Sequence, residues 1–425
     1  MTIAPPDRPG SDSPGSDAAS EESVSRPVVR AALRQRKALR RRRRATILQS
    51  VLTVLFVVAL CALAFVGWRS ALKITGGRDL EITDPAAPGY VAEVKPTTVD
   101  MIAITNADGS LSTMLLVIPG PDGTTSTVVP VSAGLVFWEF EDAVPESAAD
   151  LWASGGIDVV RLRMGVDTTF APTDAVTVPG TVIEQLATEV GPITVNLADN
   201  VIVPNDAGGS MVKYPSGPLT LQPSQIMEFL SVRGAGEAEL NRALRLSKVW
   251  DALLAGVKAK GGGVDLPGGS SDDLALFSDI VDDLNASEVS VQLLPTNEVP
   301  LDVSPAFSID RIDQRAMTTW VPEYVPFPTS AYPGQRATVD LLNGTTNPDA
   351  IKTIAPKVVG AGGEISLTGN AESFDIATSR VEYADKDAKP QAEAIAAALG
   401  LTATRSTDGL GDVDVTVVVG KDLVP

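Results

Sequence analysis

Three arginines stand close together in the middle of the chain: Arg233, Arg242 and Arg245. A guanidinium is planar, permanently charged and forked, so a set of them suits a phosphate group. The competing reading is a solvated helix face, with Glu237 and Glu239 as neighbouring counter-charges. Arg161 and Arg163 alternate along Asp158–Met164, on one face of an expected strand, and could reach the same cleft or simply face water. Asp108 lies in Asn106-Ala-Asp-Gly109, which is ordinary turn chemistry. The chain has no histidine and one cysteine, Cys61. That removes Ser-His-Asp and Cys-His catalysis, histidine or thiolate zinc sites, and any disulfide framework. Chemistry here must come from carboxylates, Arg, Lys, Ser or Thr.

The elements that must position these residues follow from period and punctuation. Met101–Thr105, Thr113–Ile118 and Ser126–Val131 read as strands separated by the turns Asn106–Gly109 and Gly120–Gly123. Thr181–Val190 has helical spacing and stops at Gly191-Pro192; Ile193–Leu197 is again a strand. Pro223–Leu230 begins a helix with proline in its first turn. Glu237–Lys258 is a long helix in which Arg242 and Arg245, three apart, share a side. The Gly261–Gly263 run ends it. This run lacks the Lys-Ser/Thr of a phosphate loop. Ser271–Leu284 is a further helix. Residues 321–335 form a Pro-rich linker. A second unit then carries strands at Ala337–Leu342, Ser379–Tyr383 and Asp414–Val419, with helices at Pro348–Val359 and Lys389–Leu399. Strands alternating with helices indicate an α/β fold.

Residues 45–68 contain no charged side chain and are almost wholly apolar. At 1.5 Å per residue they reach roughly 30 Å or a little more, enough for a bilayer core. They are longer than a signal-peptide core and lack its small-residue cleavage site. Residues 1–44 hold 11 Lys+Arg against 5 Asp+Glu, net +6, and the remainder holds 23 against 48, net −25. The basic side of a span stays cytoplasmic, so the acidic bulk is expected outside the cell. The arginine run Arg40–Arg44 abuts the span, where contact with anionic membrane lipid is a simpler reading than nucleic acid. The organisation expected is a disordered basic arm over 1–44, a transmembrane helix over 45–68 and a stalk over 69–97. A larger domain over 98–320, the linker, and a small domain over 336–425 complete it.

The order of these pieces resembles the LytR–CpsA–Psr family with a LytR carboxy-terminal domain attached, from about Val99 to Pro425. The tail carries the strongest likeness: VDLLNGT at Val339–Thr345, VEYADKDAKPQAEAIAAALG at Val381–Gly400 and DVTVVVGKD at Asp414–Asp422. In the larger domain, Gly156–Asp167, Glu189–Asn196 and Ser216–Leu221 leading into Gln225–Arg233 resemble family segments. Arg242-Ala-Leu-Arg245 echoes the family's basic motif, with Leu246 in place of its glutamine. The resemblance implies an α/β sandwich domain and a smaller α/β tail domain. It also implies an activity, transfer of a glycopolymer from a polyprenyl pyrophosphate carrier to peptidoglycan, with a divalent metal such as Mg.

The resemblance places Arg233, Arg242 and Arg245 as phosphate-binding candidates and Asp108 as a candidate metal ligand. Ser112 stands where a second acid belongs, and Val129-Pro-Val-Ser132 where the family has Arg and Asp. A single carboxylate holds Mg poorly. The expectation is therefore a non-catalytic envelope scaffold or a glycopolymer- or lipid-binding relative, with envelope proteins as further partners. The alternative is an active phosphotransferase, which requires a deep apolar pocket beside Arg233 and Arg242.

Overall fold

The computed structural model describes residues 82–137, 145–261, 271–301, 307–407 and 409–424. All of them belong to one compact unit, Thr75–Pro425. The arm expected over 1–44 and the span expected over 45–68 lie outside the described residues. Among those described, no helix is long and apolar enough to cross a membrane.

Consecutive apolar residues in Asp100–Thr105, Leu111–Pro119 and Thr125–Ser132 demand burial on both faces of a sheet. They form an antiparallel meander. Glu288–Val291 and Asp174–Pro179 flank it, each parallel to its neighbour. Side chains alternate across it. Met101, Ala103, Met114, Leu116, Val129 and Val131 enter one core, while Ile102, Ile104, Leu115, Val117, Val128 and Val176 enter another. The second core is closed by the helices Gly180–Val190, Pro223–Ser231, Glu239–Ala259 and Asp272–Ala286. In the long one, Leu246, Val249, Trp250, Leu253 and Val257 make the buried stripe.

The first core is covered by helices Ala148–Thr168 and Gln314–Tyr324. The strand expected at Asp158–Met164 is therefore helical. Ser147 and Asp150 form a capping box at its start, Ser147 Oγ accepting the Asp150 N–H at 3.1 Å. Val160, Met164 and Thr168 fall four apart on the buried side. Seven alternating residues fit either period, and the longer stripe decides for the helix. Gly156, at φ 67° and ψ −155°, breaks it in two where a side chain would be strained.

The tail builds a six-stranded sheet in the order Val91–Glu93, Gly363–Asn370, Ala337–Asn343, Val415–Val419, Arg380–Tyr383, Ala403–Arg405. The helices Ala350–Gly360 and Lys389–Leu399 supply apolar side chains to its core. The expected tail strands and helices are present. Gly363–Asn370 and Ala403–Arg405 are additional. Val91–Glu93 comes from the segment read as stalk, and pairs antiparallel with Gly363–Asn370. Asn370 Nδ2 donates to the carbonyls of Pro85 at 2.9 Å and Ala87 at 2.8 Å. A Cβ on Gly369 would overlap the Tyr90 carbonyl, so glycine permits this approach.

The Pro-rich linker is also fixed at both ends. Its first residues complete the helix Gln314–Tyr324, where Trp320 and Val321 are buried. That helix packs on Ala350–Gly360, and a Cβ on Gly360 would meet the Thr318 carbonyl. Gln335 Nε2 donates to the Gly165 carbonyl at 2.9 Å. One hydrophobic cluster thus runs from the central sheet through Met317 and Trp320 to Val339, Ile354 and Val417 of the tail.

Candidate functional site

The three arginines converge around the loop 232–238, between the helix Pro223–Ser231 and the long helix Glu239–Ala259. Two clefts flank this loop and share Gly236 and Glu237. One, of about 770 Å³, is lined by Arg233, Arg242, Asp150, Glu239, Glu298 and Asp310 among others. The other, of about 320 Å³, is lined by Arg245, Asn196, Asn241, Leu244 and Lys248 among others.

Each arginine has a carboxylate of its own chain. Arg245 is almost fully buried and forks onto Glu237, Nε to Oε1 at 2.9 Å and Nη2 to Oε2 at 3.0 Å. Its Nη1 donates to the Phe229 carbonyl at 2.7 Å and its Nη2 to that of Val232 at 2.8 Å. The guanidinium lies 4.9 Å from the Phe229 ring centroid. Burial pushes the Glu237 carboxyl up, but the Arg245 bonds and the Gly234 N–H outweigh it, and the net shift is downward.

Arg242 is 5% exposed. It donates to the Ser231 carbonyl at 3.2 Å and reaches the Ser112 carbonyl at 3.5 Å. Glu239 Oε2 is 3.9 Å from Arg242 Nη1, and Glu239 Oε1 is 3.0 Å from Arg233 Nη2. The Arg233 contact has ion-pair distance without hydrogen-bond alignment, so Oε1 accepts no hydrogen bond. Burial draws the Arg242 pKa below its ordinary value despite Glu239. Ser132 Oγ donates to Glu239 Oε2. Glu239 is thus central to the site. Its spacing from Arg242, i to i+3, was visible in sequence; its pairing with Arg233 and Ser132 was not.

Asp108 does not join this group. It is exposed in the turn after the first meander strand, and its Oδ1 accepts from Ser110 N at 3.0 Å and Ser110 Oγ at 2.6 Å. Those bonds hold its carboxyl below the usual range. Among the described residues, no group of three or more Asp, Glu, His or Cys is placed to hold a metal ion. Ser112 is buried beside Arg242. Arg161 is on a helix and bonds the carbonyls of Pro172 at 2.9 Å and Thr173 at 2.6 Å. Neither it nor Arg163 lines the larger cleft.

The cleft beside Arg233 and Arg242 has a mixed lining, with Leu111, Val136 and Ile309 alongside Asp150, Glu298 and Asp310. The volume between the long helix and the sheet is filled by Phe229, Leu246 and Trp250, each 2% exposed or less. Behind Glu239 only a gap of about 20 Å³ remains.

Residues 336–423 match the family model described as LytR cell envelope-related transcriptional attenuator. No curated protein sequence matches the chain. Among solved structures, the chain is similar to Bacillus subtilis TagT at 15% identity, over 58% of this chain and 93% of that one, with a TM-score of 0.38. It is similar to a transcriptional regulator from Enterococcus faecalis at 13% identity, over 54% and 87%, with a TM-score of 0.39. A Streptococcus agalactiae protein is similar at 12% identity, over 54% and 86%, with a TM-score of 0.41.

Proposed function

We propose that this chain, whose residues 336–423 form a LytR carboxy-terminal domain, is a membrane-anchored envelope protein that holds a glycopolymer or its lipid carrier without transferring it. The anchor is the apolar segment 45–68, with the basic arm inside and the acidic bulk outside. The central domain is read as a LytR–CpsA–Psr relative on its sequence motifs. One observation carries the non-transferring reading: Arg233, Arg242 and Arg245 are all engaged by Glu237 and Glu239, while Asp108 is spent on Ser110 outside the cleft. Phosphoryl transfer needs cations free to neutralise developing charge and carboxylates grouped to hold a metal.

The test uses the full chain in detergent with a polyprenyl pyrophosphate-linked saccharide and magnesium. No pyrophosphate or polyprenyl phosphate release above the uncatalysed rate is expected. Robust turnover that Asp108→Ala abolishes would establish the phosphotransferase instead.

A further inference from the structure

The smaller cleft beside the loop 232–238 holds about 320 Å³, and the charges along its walls cancel. Asp199 and Glu237 stand against Arg245 and Lys248. Glu237 and Arg245 satisfy each other through the guanidinium fork, so neither is offered to a ligand. A charged guest finds no excess of the opposite sign here.

The polar groups that remain are of another kind. Three carboxamides come from three elements: Asn196 from the strand Ile193–Leu197, Asn200 from the short link after it, and Asn241 from the first turn of the long helix. Asn200 Oδ1 accepts the Ser216 N–H at 2.8 Å. The side chains of Asn196, Asn241 and Lys248 have no hydrogen-bond partner among the described residues. A carboxamide both donates and accepts, as a hydroxyl does. Leu244 and Ile202 line the same cleft, 44% and 38% exposed, two of the large apolar side chains that the fold leaves in water. A few convergent polar groups on a largely apolar wall make a small-molecule site. The walls are set before any ligand arrives. The Gly234 N–H donates to Glu237 Oε2 at 2.8 Å, and the Ala235 N–H to the Ile202 carbonyl at 2.6 Å.

An uncharged pyranose matches this lining, with its rim of hydroxyls and its apolar C–H face. Gly236 is shared with the larger cleft and has open space where a Cβ would stand, so a linear chain of sugars can pass over it. We propose that the smaller cleft binds an uncharged pyranose unit of a glycan, with Asn196, Asn241 and Lys248 meeting its hydroxyls and Leu244 with Ile202 meeting its C–H face. The inference rests on the holding function above for the kind of polymer, and on none of the guanidiniums.

The full chain in detergent is applied to immobilised neutral oligosaccharides of the glucose, galactose, mannose and N-acetylglucosamine series, and to polyuronates. The neutral saccharide bound best is then titrated by calorimetry. Asn196→Ala and Asn241→Ala, both at exposed positions, are each expected to weaken it roughly fivefold, the order of one neutral hydrogen bond. The affinity should hold as salt is raised, because no ion pair forms. The proposal is overturned if no neutral saccharide binds, if a polyuronate binds better, if both variants leave affinity unchanged, or if affinity falls steeply with salt. Pyrophosphate release by the unaltered chain would overturn the holding function and leave this titration intact.

Discussion

Arg245 holds Glu237 through two parallel bonds of its guanidinium fork, at 2.9 and 3.0 Å, with both side chains largely removed from water. The same guanidinium ties down the carbonyls of Phe229 and Val232, so one side chain joins the end of the helix Pro223–Ser231 to the long helix that follows. In this structure the arginine acts as a structural bolt between the two helices.

Removing it should therefore cost stability. Arg245→Ala leaves Glu237 buried without its partner and is expected to lose about 3 kcal/mol in urea unfolding. Arg245→Lys should lose less, because one ammonium replaces part of the fork. A change within about 0.5 kcal/mol for Arg245→Ala, the range of ordinary surface positions, would show the fork to be unimportant.

Arg336 makes an equivalent junction at the start of the tail. It is 4% exposed and donates to the Thr169 carbonyl and Oγ1, both at 3.0 Å, and to the carbonyls of Gly363 and Val359. Thr169 ends the helix Ala148–Thr168 at φ 63°, a strained position for a β-branched residue. Burial lowers the Arg336 pKa to about 10, so the group stays charged at neutral pH. Arg336→Met should cost about 3 kcal/mol by leaving several buried carbonyls without a donor. Differential scanning calorimetry with an unchanged Tm would contradict this.

Asp100 gives a signed pH dependence. Burial, with Asp174 and Asp283 adding like charge, raises its pKa to about 6. The folded chain then binds this proton more tightly than the unfolded chain does. The group costs stability when ionised, and that cost disappears as pH falls from about 6 towards the ordinary value of 3.8. Asp100→Asn should therefore stabilise the chain at pH 7.5, by about 1 kcal/mol after solvent screening. The advantage should vanish near pH 4. An advantage of equal size at both pH values would point to packing instead.

The meander was legible because three apolar runs are separated by Gly-containing turns, and Gly109 and Gly123 do adopt positive φ. Gly180–Val190 and Lys389–Leu399 were legible because their stops, Gly191 and Gly400, close the period. Asp158–Met164 was misread because seven alternating residues fit a strand as well as a helix, and the deciding contacts of Val160 and Met164 lie in a core formed by distant segments. Val91–Glu93 was read as stalk because three residues carry no period, and its partner strand lies over 250 residues away.

The sequence by itself determined the residue types available for chemistry, the apolar segment 45–68, the alternation of strands and helices, and the domain identity of the tail. Those depend on composition, short-range period and motif. Only the tertiary structure decided what the charges do. Arg233, Arg242 and Glu239 meet Ser132 across more than 100 residues of chain, while Asp108 turns away to Ser110. A guanidinium's role depends on which anion stands within a few ångströms of it and how much water remains between them, and both are set by packing between segments that the sequence lists far apart.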